Sequence, residues 1–249
     1  MSGSARRVVA EFVGSALLVA VVVGSGIAAQ QLSPGDTGLQ LLQNSTATVF
    51  GLAVLILMFG PVSGAHFNPV VSLADWWLGR RTGTGLQGGE LMAYIAAQVA
   101  GCSTGAVLAN VMFEVGAFQV STHDRVSDGH LVGEVVATAG LLAVILALAR
   151  TGRAGLSAGA VGAYIGAAYW FTSSTSFANP AVTVGRMFSD TFAGIAPGSV
   201  PAFIGAQLLG AVLGAGLIMW LYPGTGESAD NVVVPHENPP RTVERSTAP

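Results

Sequence analysis

The sequence predicts an all-α membrane protein in which six transmembrane helices and two re-entrant half-helices form an inverted repeat. Three observations carry this expectation. Hydrophobic residues make up 51% of the 249 positions and charged residues 9%, with a mean hydropathy of +0.62, a balance foreign to a soluble domain of this size. Six separate stretches each hold roughly 20 mostly apolar residues, the length that crosses a hydrocarbon core. Finally, SGAHFNPVVSLAD (Ser63 to Asp75) and STSFANPAVTVGR (Ser174 to Arg186) share a pattern in which Asn-Pro closes an apolar run and opens a segment too short to span.

The six spans are expected at 8–29, 44–63, 90–113, 130–149, 156–176 and 200–222, and the half-helices at 68–79 and 179–192. Proline at a first helical position fixes φ and lacks only a donor that would be orphaned there, while the asparagine before it caps the turn. Arg6 and Arg7 ahead of an apolar run resemble a signal peptide. The run continues to Ala29 and contains Glu11, so it is expected to remain as the first span. Polar, turn-forming composition marks 30–43 and 114–129 as loops. From 223 to 249 the composition turns to Pro, Glu, Asn, Thr and Ser, as expected of a disordered tail.

The two Asn-Pro pairs, at positions 68 and 179, put one in each half, giving a first repeat over 1–122 and a second over 123–222. Glu11 matches Glu134 at the start of the first span of each half. Ala97, Gln98 and Gly101 match Ala206, Gln207 and Gly210 in the third. Three spans per half is an odd number, so the halves enter the membrane from opposite faces. Gly-xxx-Gly spacing at Gly101/Gly105, Gly162/Gly166 and Gly210/Gly214 predicts close helix packing. An inside N-terminus leaves Arg6, Arg7, Arg80, Arg81, Arg150, Arg153, Arg241 and Arg245 cytoplasmic and only Arg125 and Arg186 outside, as the placement of basic residues requires.

The remaining composition is mainly exclusive. Ten arginines, no lysine and a net charge of −3 provide no basic face for nucleic acid. Cys102 is the single cysteine, which excludes an intramolecular disulfide and suits a small packing position. Neither a metal nor a cofactor site is expected.

The AEF-x-G start, SGAHFNP and the second Asn-Pro-Ala together resemble the major intrinsic proteins, the aquaporins and aquaglyceroporins, over residues 5 to 222. The resemblance implies a channel rather than an enzyme, with a pore through each protomer of a homotetramer in the lipid bilayer. Asn68, Pro69, Val70 and Asn179, Pro180, Ala181 would form the pore midplane, where the two amides donate to the passing molecule. Val70 replaces the usual alanine and is read as a packing change. Glu11 and Glu134 would be structural buried carboxylates accepting from the re-entrant loops. His66 would line or buttress the cytoplasmic vestibule.

The resemblance also exposes a departure. An arginine usually follows the second Asn-Pro-Ala and helps to form the selectivity filter; here that residue is Val182. The family's spacing puts the other filter positions at Thr48, Ala167 and Ser176, so the constriction is expected to be wide and free of arginine. Arg186, one helical turn beyond Val182, is a candidate for the pore mouth, with a structural role paired to loop backbone or Asp190 as the alternative. Valine at the filter and the run VTVGRMFSDTFAGIAP resemble a bacterial branch linked to arsenic resistance. The implied solutes are arsenous acid, methylated organoarsenicals, glycerol and water, crossing the bacterial cytoplasmic membrane. An orthodox water or glycerol channel is the alternative. A proton-coupled transporter lacks a titratable residue at the candidate pore positions, and the serine-hydrolase pattern at Gly155 to Gly159 lacks a preceding strand and a placed histidine.

Overall fold

The computed structural model describes residues 3–80 and 85–223. Eight α-helices follow in order: α1 Gly3–Leu32, α2 Thr37–Ser63, α3 Pro69–Gly79, α4 Gly88–Met112, α5 Asp128–Arg150, α6 Ser157–Phe171, α7 Pro180–Gly185 and α8 Val200–Leu221. Helices α1, α2, α4, α5 and α8 are long and apolar enough to cross a membrane. Helix α6, with 15 residues, is shorter than its predicted span. It stops at Phe171 because Thr172 turns to extended backbone, and the Thr172 hydroxyl turns back to the Ala168 carbonyl at 2.7 Å. The predicted tail at 223–249, with Arg241 and Arg245, lies outside the described residues apart from Pro223, and Arg81 lies outside them too.

Two further boundaries differ from the sequence reading. The 30–43 stretch is mostly helical, since α1 continues to Leu32 and α2 starts at Thr37. Asp36 caps α2 by accepting the Leu39 N–H at 2.9 Å, and Gln40, polar but buried, donates to the Ser33 carbonyl at 2.8 Å. Polar residues here satisfy helix ends rather than unwind them. The second half-helix is also shorter than 179–192, ending at Gly185 with a 3-10 turn over Arg186–Phe188. Tertiary donors claim the carbonyls that would continue it: Ser121 N–H binds the Met187 oxygen at 2.8 Å and Asn110 Nδ2 binds that of Phe188 at 2.8 Å.

The two halves repeat each other's contacts. A Cβ on Gly101 or Gly105 of α4 would strike the carbonyls of Phe12 and Ala16 of α1; on Gly210 or Gly214 of α8 it would strike those of Val135 and Ala139 of α5. Helices that lack a side chain at the crossing approach to backbone contact, which supplies dispersion energy where lipid provides no hydrophobic drive. Helix α1 runs alongside α4 and α5 alongside α8, while α2 and α6 meet through Tyr169 and Thr48 at 3.2 Å. Arg7 joins the starts of α1 and α4 by donating to Tyr94 at 3.0 Å. Arg150 of α5 donates to the Pro223 carbonyl at 2.7 Å. These contacts place Gly3 and Pro223 at one end of the bundle, the terminal end. Helix α3 runs from the interior toward that end and α7 away from it.

Candidate functional site

The re-entrant segments ahead of α3 and α7 have the same backbone. Ala65 and Phe67 have φ of 48°, and Ser176 and Ala178 have φ of 54° and 48°. Left-handed backbone at a residue with a Cβ costs about 1–2 kcal/mol each, so it persists only where the surroundings dictate it. The buried carboxylates dictate it here. Glu11 accepts from the Ser63 hydroxyl (2.6 Å), the His66 and Phe67 N–H groups (3.0 and 2.7 Å) and Gln98 Nε2 (2.8 Å). Glu134 accepts from the Phe177 and Ala178 N–H groups (2.8 and 3.0 Å) and Gln207 Nε2 (2.6 Å). Both glutamines also donate to a hydroxyl on the half-helix, Ser72 at 2.9 Å and Thr183 at 2.8 Å. The glutamines were visible in the sequence as repeat landmarks, but nothing there indicated that each links a carboxylate to a half-helix.

Asn68 and Asn179 cap α3 and α7 and lock onto each other's loop. Asn68 Oδ1 accepts the Val70 N–H at 3.1 Å; Asn179 Oδ1 accepts those of Ala181 and Val182 at 3.0 and 3.2 Å. Asn68 Nδ2 donates to the Ala178 carbonyl and Asn179 Nδ2 to the Phe67 carbonyl, each at 2.8 Å. Pro69 and Pro180 occupy the first helical positions. An amide nitrogen carries two N–H groups, so each asparagine keeps one after this exchange.

Both asparagines border an internal lumen with about 70 Å³ accessible to water. Leu52 and Ile56 of α2, Leu141 and Ile145 of α5, and Val161 and Ile165 of α6 contribute an apolar wall. Among the predicted residues, Thr48, His66, Ser176, Val182 and Arg186 also line it. Val70 and Ala181 pack in the surrounding core instead. The expectation for Ala167 is corrected: it is exposed on the outer face of α6. Ile165 and Tyr169, four apart on one helix face, point to the lumen, and a residue two positions from Ile165 lies across the helix.

Arg186, the pore-mouth candidate, borders the lumen, and so do Phe177 and Tyr169, two rings that the sequence reading did not place there. Phe177 is the repeat equivalent of His66, and each ring meets a second edge-on: His66 with Tyr94 at 5.5 Å and Phe177 with Phe203 at 5.2 Å. The 111-residue offset between the Asn-Pro pairs was the signal that could have found Phe177. Arg186 does not pair with Asp190, whose carboxylate accepts the Thr122 N–H at 2.8 Å and its hydroxyl at 3.0 Å.

That Asp190 contact ties together the loops at the end opposite the termini, and the Thr122 N–H holds its carboxyl below the usual carboxylate range. A depressed native pKa stabilises the fold above the unfolded value and the contribution is lost as pH falls through the native one. An Asp190→Asn variant is therefore expected to melt below wild type at pH 7. The gap should shrink below about pH 4 and close under the native pKa, as thermal scans across that range would record.

Lengthwise helices, two half-helices meeting head to head and a lumen between them define a membrane channel. The family model described as Major intrinsic protein matches residues 1–176, and the chain belongs to that family of channels, which are not enzymes. The chain is 49% identical over 216 residues to Aquaglyceroporin AqpS of Rhizobium meliloti (strain 1021), covering 87% of this chain and 90% of that protein. It is 33% identical over 247 residues to the Glycerol uptake facilitator protein of Pseudomonas aeruginosa, covering 83% and 85%. The solved aquaglyceroporin from Plasmodium falciparum superposes with a TM-score of 0.58 at 21% identity, over 88% of this chain and 95% of that one, which bears on the fold alone.

Proposed function

We propose that this chain is a passive channel for small neutral solutes, with glycerol-like polyols, arsenous acid and methylated arsenicals as its cargo and water as a companion. The reciprocal Asn68 and Asn179 pair beside a mostly apolar lumen carries the reading. One spare N–H on each amide gives a passing oxygen two donors at the point where α3 and α7 meet. A molecule accepting from both is oriented against relaying a proton, while the aliphatic wall accommodates its carbon face. The relatives named for glycerol add support, and the arsenical choice rests on Val182 and the run that follows it. Distribution of arginine favours cytoplasmic termini in a bacterial cytoplasmic membrane, and the family resemblance favours a homotetramer. A water-selective channel is the second reading, favoured by Arg186, Phe177 and Tyr169 on the lumen.

Stopped-flow light scattering on proteoliposomes decides between them. Wild type is expected to pass glycerol and arsenous acid, and Val182→Arg to suppress both by about tenfold while sparing water, through added bulk and charge at the ring beside Asn179. Wild-type vesicles that conduct water alone would overturn the neutral-solute reading.

A further inference from the structure

We propose that Arg186 serves as a selectivity residue displaced one turn outward: its guanidinium donates to hydroxyl oxygens of neutral polyols and turns back cations and protons in the half of the lumen farther from the termini. This rests on the channel reading above and deepens it. The side chain is 3% exposed and its Nε donates to the Ala193 carbonyl. The guanidinium carbon sits 3.5 Å from the Phe177 ring centroid, a stacked cation–π contact. Among the described residues, no carboxylate lies within ion-pair distance.

A buried cation without a counter-ion is costly unless hydrogen-bond acceptors surround it. Among the described residues only Nε has a protein acceptor. The two terminal nitrogens are not sealed orphans either, and the lumen that Arg186 borders is the space open to them. Arg125, across Phe177 at 5.4 Å, cannot substitute. Its Nε and Nη2 are committed to the Gly194 and Phe192 carbonyls at 2.6 and 2.9 Å. Its charge nevertheless adds to the positive field at this end. Thr48 and Tyr169 bring hydroxyls to the same lumen, Ser176 Oγ is buried without a partner, and Val182 is apolar. A molecule with adjacent hydroxyls and a hydrocarbon edge meets donors, hydroxyl oxygens and an apolar surface in the same lumen.

Proteoliposomes carrying wild type, Arg186→Gln or Arg186→Lys would be assayed for glycerol and water flux and, with a pH-sensitive dye under an imposed potential, for proton leak. Arg186→Gln is expected to raise the leak at least about tenfold, since a fixed charge in low dielectric is removed. Its glycerol-to-water ratio should fall. Arg186→Lys keeps the charge but not the planar fork, so the leak should stay low while the ratio falls about threefold. Unchanged leak and ratio in both variants, with glycerol flux intact, would overturn the proposal. If Arg186→Gln does not fold, Arg186→Lys alone decides through the ratio. A wild type that passes no glycerol would instead overturn the channel reading beneath it.

Discussion

A Glu11→Ala variant is expected to lose the first re-entrant loop and, with it, all solute flux. The carboxylate satisfies the His66 and Phe67 N–H groups, the Ser63 hydroxyl and the Gln98 amide, in a protein interior where no bulk water replaces it. Each unsatisfied buried donor costs about 1–3 kcal/mol. Removing the carboxylate also removes its own desolvation cost, so the net loss should be about 3 kcal/mol. The left-handed turns at Ala65 and Phe67 would then relax, and the Phe67 carbonyl that accepts from Asn179 Nδ2 would move with them. Glu11→Gln retains the shape but presents N–H to a donor, so it should fall between. Denaturant unfolding and glycerol flux, measured on both variants, check the order; a Glu11→Ala protein with wild-type stability would show that the loop holds itself.

Gly105→Val should be as damaging, through sterics. A Cβ there strikes the Ala16 carbonyl, which belongs to a helix backbone and cannot swing aside as a side chain would. Overpacking a close crossing costs about 1–3 kcal/mol or more, and the α1–α4 pair would have to separate along its length. Gly214→Val should repeat the effect against Ala139 on α5. Gly89→Val, in the first turn of the same α4 with nothing within 4 Å of the added atom, should leave the protein intact. Melting temperature and the amount of monodisperse protein extracted from membranes distinguish the three. Equal behaviour of Gly105→Val and Gly89→Val would mean that the crossing is not tight.

Much of this molecule is legible along the chain because its physics is local. Span length, the inability of a short apolar segment to cross a bilayer, and proline after a capping asparagine are read from neighbouring residues. Together they predicted the helices, the two half-helices and their opposed directions. Glu11 and Glu134 stood out because a carboxylate inside an apolar run demands partners. Their partners, down to the glutamine that joins each carboxylate to Ser72 or Thr183, are main-chain and side-chain groups tens of residues away. No local pattern names them.

Tertiary structure alone decided which residues reach the lumen. Ala167 was assigned by counting back from Asn179, yet α6 ends before that loop and its rotation puts Ile165 and Tyr169 inside. Arg186 was left open between two roles because its surroundings depend on how the loops on either side of α7 fold back: Phe177 against its guanidinium, the Ala193 carbonyl on its Nε, and Asp190 drawn away to Thr122. Helix formation and membrane insertion depend on residues within a few turns of one another, so the sequence by itself determined them. A pore wall is assembled from side chains of helices packed by shape, and its membership depends on rotation and helix ends that only packing sets.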